Sequence, residues 1–290
     1  MLWFALRKLA AFAATVLVTL WLIHALLAAG AGGQALGGFG GWLGHLLLGD
    51  FGVAADGQGI GGLVAARLAV TVPLALLAML LAALIGAGLG LLAARRPGRL
   101  LDHALTALAE IAGATPSFWL GMVLVAIFAT GLHWLPTGGF VPWQRHAGGA
   151  LLSLLLPALA VALPVAATLA LGIRDAVAAG RSAPYVLTAQ ARGIAAEDGF
   201  RHEALPAAAL TGLDAAVPHA AAIIVGTVIV ENVFYLPGLG RLILDAAAAR
   251  DLGLVAGALA VLILLTSGTT FLTQLGSRWA DPRRRGQDAA

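Results

Sequence analysis

Residues 68–94 read LAVTVPLALLAMLLAALIGAGLGLLAA and carry no charged side chain. A helix needs roughly 20 apolar residues to cross about 30 Å of hydrocarbon, so this run is long enough to span a bilayer. Water is absent there, and a spanning segment must satisfy its own backbone polar groups. Helix is therefore the expected form, and the rest of the chain repeats the pattern. Of its 290 residues 60% are hydrophobic and 11% charged, with a mean hydropathy of +0.94. Soluble domains average about 25% charged residues. The chain reads as an all-α membrane protein.

Six spans are expected, at about 9–29, 68–94, 104–132, 150–173, 207–230 and 252–277. Residues 1–290 then form one transmembrane domain. A cleaved signal peptide is the alternative for the first span, with Arg7 and Lys8 as its basic start. Its apolar core is longer than the roughly 7–15 residues usual for such a signal. Pro73, Pro116, Pro157, Pro164 and Pro218 fall inside spans and are expected as kinks. Gly86, Gly88 and Gly90 would let helices approach closely.

Orientation follows from the basic residues. With the N-terminus in the cytoplasm, 13 of the 17 Lys and Arg residues fall on the cytoplasmic side and 4 on the outer side. That bias places both termini in the cytoplasm. It also places about 178–206, the longest inner loop, in the cytosol.

Several chemistries are excluded. There is no cysteine, hence no disulfide and no thiolate metal site. No two of His24, His45, His103, His133 and His146 are spaced i, i+4, so no metal site is read. No basic stripe interleaved with aromatics suggests nucleic acid. A Walker A loop needs a lysine after glycine, yet the single lysine, Lys8, precedes the first span. No serine stands in a G-x-S-x-G setting, and no catalytic residue is assigned.

The inner loop has local order of its own. Ser182 suits an N-cap with Pro184 in the first turn, and Gly193 suits a left-handed C-cap. A short helix, a glycine turn and a second helix are expected there. Among other polar residues, Glu110 lies within the third span and Asp214 near the start of the fifth. Intramembrane carboxylates are functional candidates by default. Glu231 and Asn232, at the outer end of the fifth span, are read either as fold-shaping groups or as substrate contacts. These four are the candidates for a translocation path.

The stretch YVLTAQARGI at 185–194 resembles the cytoplasmic coupling loop of binding-protein-dependent ABC importer permeases. The dipeptide/oligopeptide/nickel group, first permease subunit, reads Y-V-R-T-A-R-A-K-G-L at that place. ENVFYLPGLGR at 231–241 resembles the group's E-x-V-F-x-x-P-G-L-G-R segment. GDFG at 49–52, PSFWLG at 116–121 and WLPTGGF at 134–140 fit as well. Leu187 and Gln190 replace two arginines of the group, and 14 glycines crowd residues 30–62.

The resemblance implies a type I ABC importer permease fold in the bacterial inner membrane. It implies that Tyr185, Thr188, Ala189, Arg192 and Gly193 couple the chain to an ATPase. Expected partners are a second related permease, two ATPase subunits, a periplasmic or lipid-anchored substrate-binding protein and membrane lipids. No cofactor is expected on the chain itself, and ATP would be bound by the ATPases. The expected cargo is a peptide or a chelated metal such as nickel. The competing reading is a small ion-coupled secondary transporter, which would place ionisable groups near the bilayer midplane.

Overall fold

The computed structural model describes residues 2–30, 38–95, 97–181 and 205–280, with side chains described within 6–29, 38–95, 97–180 and 219–276. Tyr185, Thr188, Ala189, Arg192 and Gly193, the residues expected in a coupling loop, lie outside the described residues. The described helices are α1 (Leu2–Gly30), α2 (Phe39–Leu47), α3 (Ile60–Ala94), α4 (Leu100–Ala114) and α5 (Ser117–Leu124). They continue with α6 (Ala147–Arg181), α7 (Leu205–Val233), α8 (Leu239–Ala248) and α9 (Leu252–Ala280). The one extended pairing among the described residues is an isolated bridge between Val53 and Gly59.

Helices α1, α3, α6 and α9 are each long and apolar enough to cross a membrane alone. In α7 the described side chains give a shorter apolar stretch, His219–Val233. The third expected span is divided. Its halves, Leu100–Ala114 and Ser117–Gly131, meet at 110°. Thr115 (φ −90°, ψ 129°) and Pro116 (φ −62°, ψ 140°) are both extended. A proline ring drives the residue before it out of the helical region, and it brings no N–H to continue the ladder. Pro116 is thus a full break where the sequence suggested a kink. The Thr115 hydroxyl returns to the Ile111 carbonyl at 2.6 Å. Beyond α5 the backbone widens into a π-helical turn, Val125–Gly131.

The centre of the bundle is α6. Of its apolar window 67% is buried, against 33% for α3 and α9 and 17% for α1. Between membrane helices packing does the work that the hydrophobic effect does in water, and the α3–α6 seam shows how. A Cβ at Gly86 would sit 2.8 Å from Leu169 Cβ, and one at Gly90 would sit 2.7 Å from the Ala170 carbonyl oxygen. Gly88 meets nothing within 4 Å. Only the two glycines spaced i, i+4 make the seam.

The main core joins Leu74, Ala78 and Ala82 of α3 to Leu154, Ala158 and Ala162 of α6 and Ile224 and Val230 of α7. A second cluster sets Leu239, Leu242 and Ala246 of α8 against Ile60 and Val64 of α3 and Val255 and Ala258 of α9. A third fastens α1 and α2 to α9 through Val16, Leu20, Leu46 and Ala260.

Candidate functional site

Gly238 is the N-cap of α8, and its lack of a side chain leaves the first turn without a cap of its own. The first N–H groups of any helix have no intrahelical partner. Here two spans supply the partners. The Leu239 N–H donates to Thr71 Oγ1 of α3 at 2.8 Å. The Gly240 N–H donates to Glu231 Oε2 of α7 at 2.7 Å. The Thr71 hydroxyl in turn donates to Glu231 Oε1 at 2.6 Å. Thr71 and Glu231 are both 0% exposed. The carboxylate gathers the helix end and the hydroxyl, and the positive end of the helix favours the negative charge. We call this arrangement the clasp.

The glycines around the clasp are dictated by space. A Cβ at Gly238 would lie 2.1 Å from Glu231 Cδ, and one at Gly240 would lie 2.5 Å from Val228 Cα. The turn between α7 and α8 is fixed further. Leu236 N–H donates to the Glu231 carbonyl at 2.9 Å, and Gly139 N–H donates to the Phe234 carbonyl at 2.8 Å. Phe234 is 1% exposed, and its ring sits where a side chain at Gly121 would be. The motif ENVFYLPGLGR therefore builds one compact corner that ties three helices together.

A second constellation lies at the other end of the bundle. Arg174 of α6 grips Asp102 of α4 with both branches: Nε donates to Oδ1 at 2.6 Å and Nη2 donates to Oδ2 at 2.8 Å. The Gly98 N–H adds a third bond to Oδ2 at 2.8 Å, from a turn where Gly98 has φ +75°. The Asp102 side chain is 0% exposed and that of Arg174 is 27% exposed. Arg174 Nη1 also donates to Asp175 at 2.8 Å. Two-pronged guanidinium–carboxylate pairs add geometric specificity to strength. This strut locks the α3–α4 turn to α6 two turns before Arg181, where α6 ends.

The four path candidates are not brought together. Glu231 is absorbed by the clasp, in a fold-shaping role. Asn232 turns back on its own helix, Nδ2 donating to the Val228 carbonyl at 2.8 Å. Glu110 is exposed on α4. Asp214 lies on the backbone of α7, and its side chain is outside the described residues. Sequence reading missed Thr71, Asp102 and the pairing role of Arg174. For Thr71 the signal was a hydroxyl in an otherwise apolar run. For Asp102 it was an acid in the first turn of a helix that follows three arginines.

Residues 86–286 match the family described as binding-protein-dependent transport system inner membrane component. The oligopeptide transport system permease protein AppB of Bacillus subtilis is 31% identical over 251 residues, covering 83% of this chain and 78% of that protein. The glutathione transport system permease protein GsiC of Salmonella choleraesuis is 32% identical over 213 residues, covering 71% and 65%. Two solved transporters share the fold. An amino acid ABC transporter solved with histidines superposes with a TM-score of 0.57 at 17% identity, covering 75% of this chain and 94% of that one. An inward-facing MetNI methionine ABC transporter gives 0.56 at 17% identity, covering 76% and 96%. The chain belongs to the binding-protein-dependent transport family: it is an all-helical, multi-pass inner-membrane permease component of an ABC importer.

Proposed function

We propose that this chain is the peptide-translocating permease subunit of its importer, working opposite a second, related permease. The observation that carries the cargo class is its identity with an oligopeptide and a glutathione permease over most of its length. The cargoes named for these two relatives are an oligopeptide and glutathione, so peptide is the reading retained. Two ATPase subunits would seat the loop at about 178–206, with Tyr185, Thr188, Ala189, Arg192 and Gly193 at the contact. A substrate-binding protein would deliver peptide to the outer face. ATP stays on the ATPases, and the chain itself catalyses nothing.

The proposed topology has six spans with both termini in the cytoplasm, as the basic-residue bias requires, within a single domain of residues 1–290. Closure of the ATPases pushes on the loop. Because α6 is unbroken from Ala147 to Arg181, that push travels along one rigid element. The strut and the Gly86–Gly90 seam carry α3 and α4 with it. Glu110, Asp214 and Asn232 are the candidates to face the path between the two permeases.

The test is reconstitution of this chain with its neighbouring transport genes in vesicles. ATP-dependent uptake of short labelled peptides, lost when the ATPases are omitted, is the expected result. Uptake by the chain alone, without ATP, would overturn the assignment and favour ion-coupled transport.

A further inference from the structure

A cavity of about 340 Å³ opens between α1, α7 and α9. For a bundle this apolar its lining is unusual: Lys8 and Thr15 from α1 face Thr266, Ser267, Thr270 and Gln274 from α9. Polar side chains within spans are costly and commonly mark a function. The cavity also has the dimensions of a ligand site, at the low end of the roughly 300–1,000 Å³ that such sites occupy. The Phe12 and Phe271 rings, 5.4 Å apart, form part of its wall.

The lining separates into two kinds of hydrogen-bonding group. The Thr266 hydroxyl donates to the Leu262 carbonyl, and the Thr270 hydroxyl donates to the Thr266 carbonyl at 2.9 Å. Both protons are committed to the helix, so these oxygens can offer only lone pairs to a ligand. Lys8 offers only protons. Thr15 and Ser267 add two further hydroxyls to the lining, and a hydroxyl can give a proton as well as accept one. Neither α1 nor α9 contains an acidic residue, and Lys8 brings a cation to the lining. A fitting ligand thus carries an anionic group beside a hydrogen-bond donor.

Depth narrows the choice. From Lys8 to Thr15 the helix rises about 10 Å, at 1.5 Å per residue. Lys8 stands at the entrance to its span, and Gln274 lies in the last turns of α9. On the topology proposed above, on which this inference rests, the cavity opens at the cytoplasmic interface and reaches a few turns inward. Basic pockets between spans on that side are suited to lipid head groups.

We propose that this cavity is a binding site for an inner-leaflet phospholipid whose head group pairs a phosphate with a donor, as phosphatidylethanolamine and phosphatidylglycerol do. The phosphate is held by Lys8, Thr15 and Ser267. The ammonium or hydroxyl of the head group is held by the oxygens of Thr266 and Thr270. Phosphatidylcholine has the phosphate and lacks the donor.

The test is native mass spectrometry of the full chain, purified from vesicles of equal parts phosphatidylethanolamine, phosphatidylglycerol and phosphatidylcholine. Wild-type protein should retain the first two over the third. Lys8→Ala with Ser267→Ala should lower retention of all three by about tenfold, as expected for loss of a charge-assisted hydrogen bond. Thr270→Val should abolish only the preference over phosphatidylcholine, a selective change that general misfolding would not produce. Soluble glycerophosphoethanolamine should compete, whereas inorganic phosphate at the same concentration should not; the reverse would assign the cavity to free phosphate and overturn the lipid site. Equal retention of the three lipids by wild type would also overturn it. Retention is read whether or not ATPases co-purify, so failure here is distinct from failure of the import reading.

Discussion

The Thr71 hydroxyl donates to Glu231 at 2.6 Å across 160 residues of sequence, with both side chains 0% exposed. One hydroxyl serves two helices at once, donating to the carboxylate of α7 and accepting from the first N–H of α8. Thr71→Val keeps the shape and removes both bonds. The buried Leu239 N–H is then orphaned, at a cost of about 1–3 kcal/mol. The expected result is a lower melting temperature in detergent and slower peptide uptake, both restored by Thr71→Ser.

Gly238→Ala is predicted to be far worse than its size suggests. The added methyl would lie 2.1 Å from Glu231 Cδ, a distance that no rotamer of the glycine's replacement relieves. Either the carboxylate leaves the helix end or α8 moves away. Uptake should be lost, and the protein should become sensitive to protease at 236–240. Normal uptake by Gly238→Ala would show that the clasp opens without consequence.

The seam between α3 and α6 predicts a contrast within one glycine run. Gly86→Leu and Gly90→Leu both drive a side chain into α6 backbone or Cβ atoms closer than 3 Å. Gly88→Leu points into open space. The first two should fail to accumulate as folded protein, overpacking commonly costing about 1–3 kcal/mol or more. The third should express and transport as wild type. Expression followed by size-exclusion profile separates the three.

The strut predicts a penalty for breaking only one side. Asp102→Ala leaves a half-buried guanidinium without its main partner, and removing one member of a buried pair typically costs about 3–5 kcal/mol. Arg174→Lys keeps the charge and loses the fork. We expect Arg174→Lys to remain folded while transport per ATP hydrolysed falls several-fold, because α4 no longer moves strictly with α6. Unchanged stoichiometry in a folded Arg174→Lys protein would reduce the strut to a stabilising contact.

If the loop at about 178–206 seats the ATPases as proposed, Gly193→Val is expected to leave membrane insertion intact, weaken ATPase co-purification and abolish uptake. If Gly193 ends the short helix in a left-handed conformation, any Cβ costs about 1 kcal/mol or more there. Wild-type co-purification and uptake would show that the loop bears no coupling load.

The membrane class, the helical segments and the family motifs were legible in the chain itself. Hydropathy is a local, additive property: a run such as 68–94 declares itself a span without reference to any other residue. What tertiary structure alone decided is partnership. Thr71 looks like any threonine in a greasy helix until α8 is brought against it. Glu231 was open between shaping the fold and touching substrate, and hydrogen bonds from two other helices, one from Thr71 of α3 and one from Gly240 of α8, occupy both of its carboxylate oxygens. Asp102 and Arg174 are 72 residues apart and became a pair only when α4 folded back on α6. Pro116 was visible, but whether its neighbours bridge the lost hydrogen bond or let the helix break depends on packing, and here the chain turns by 110°. Sequence fixes what each segment must do with its own backbone; which buried polar groups find one another depends on how the segments pack, because a buried donor or acceptor is stable only where the fold supplies its counterpart.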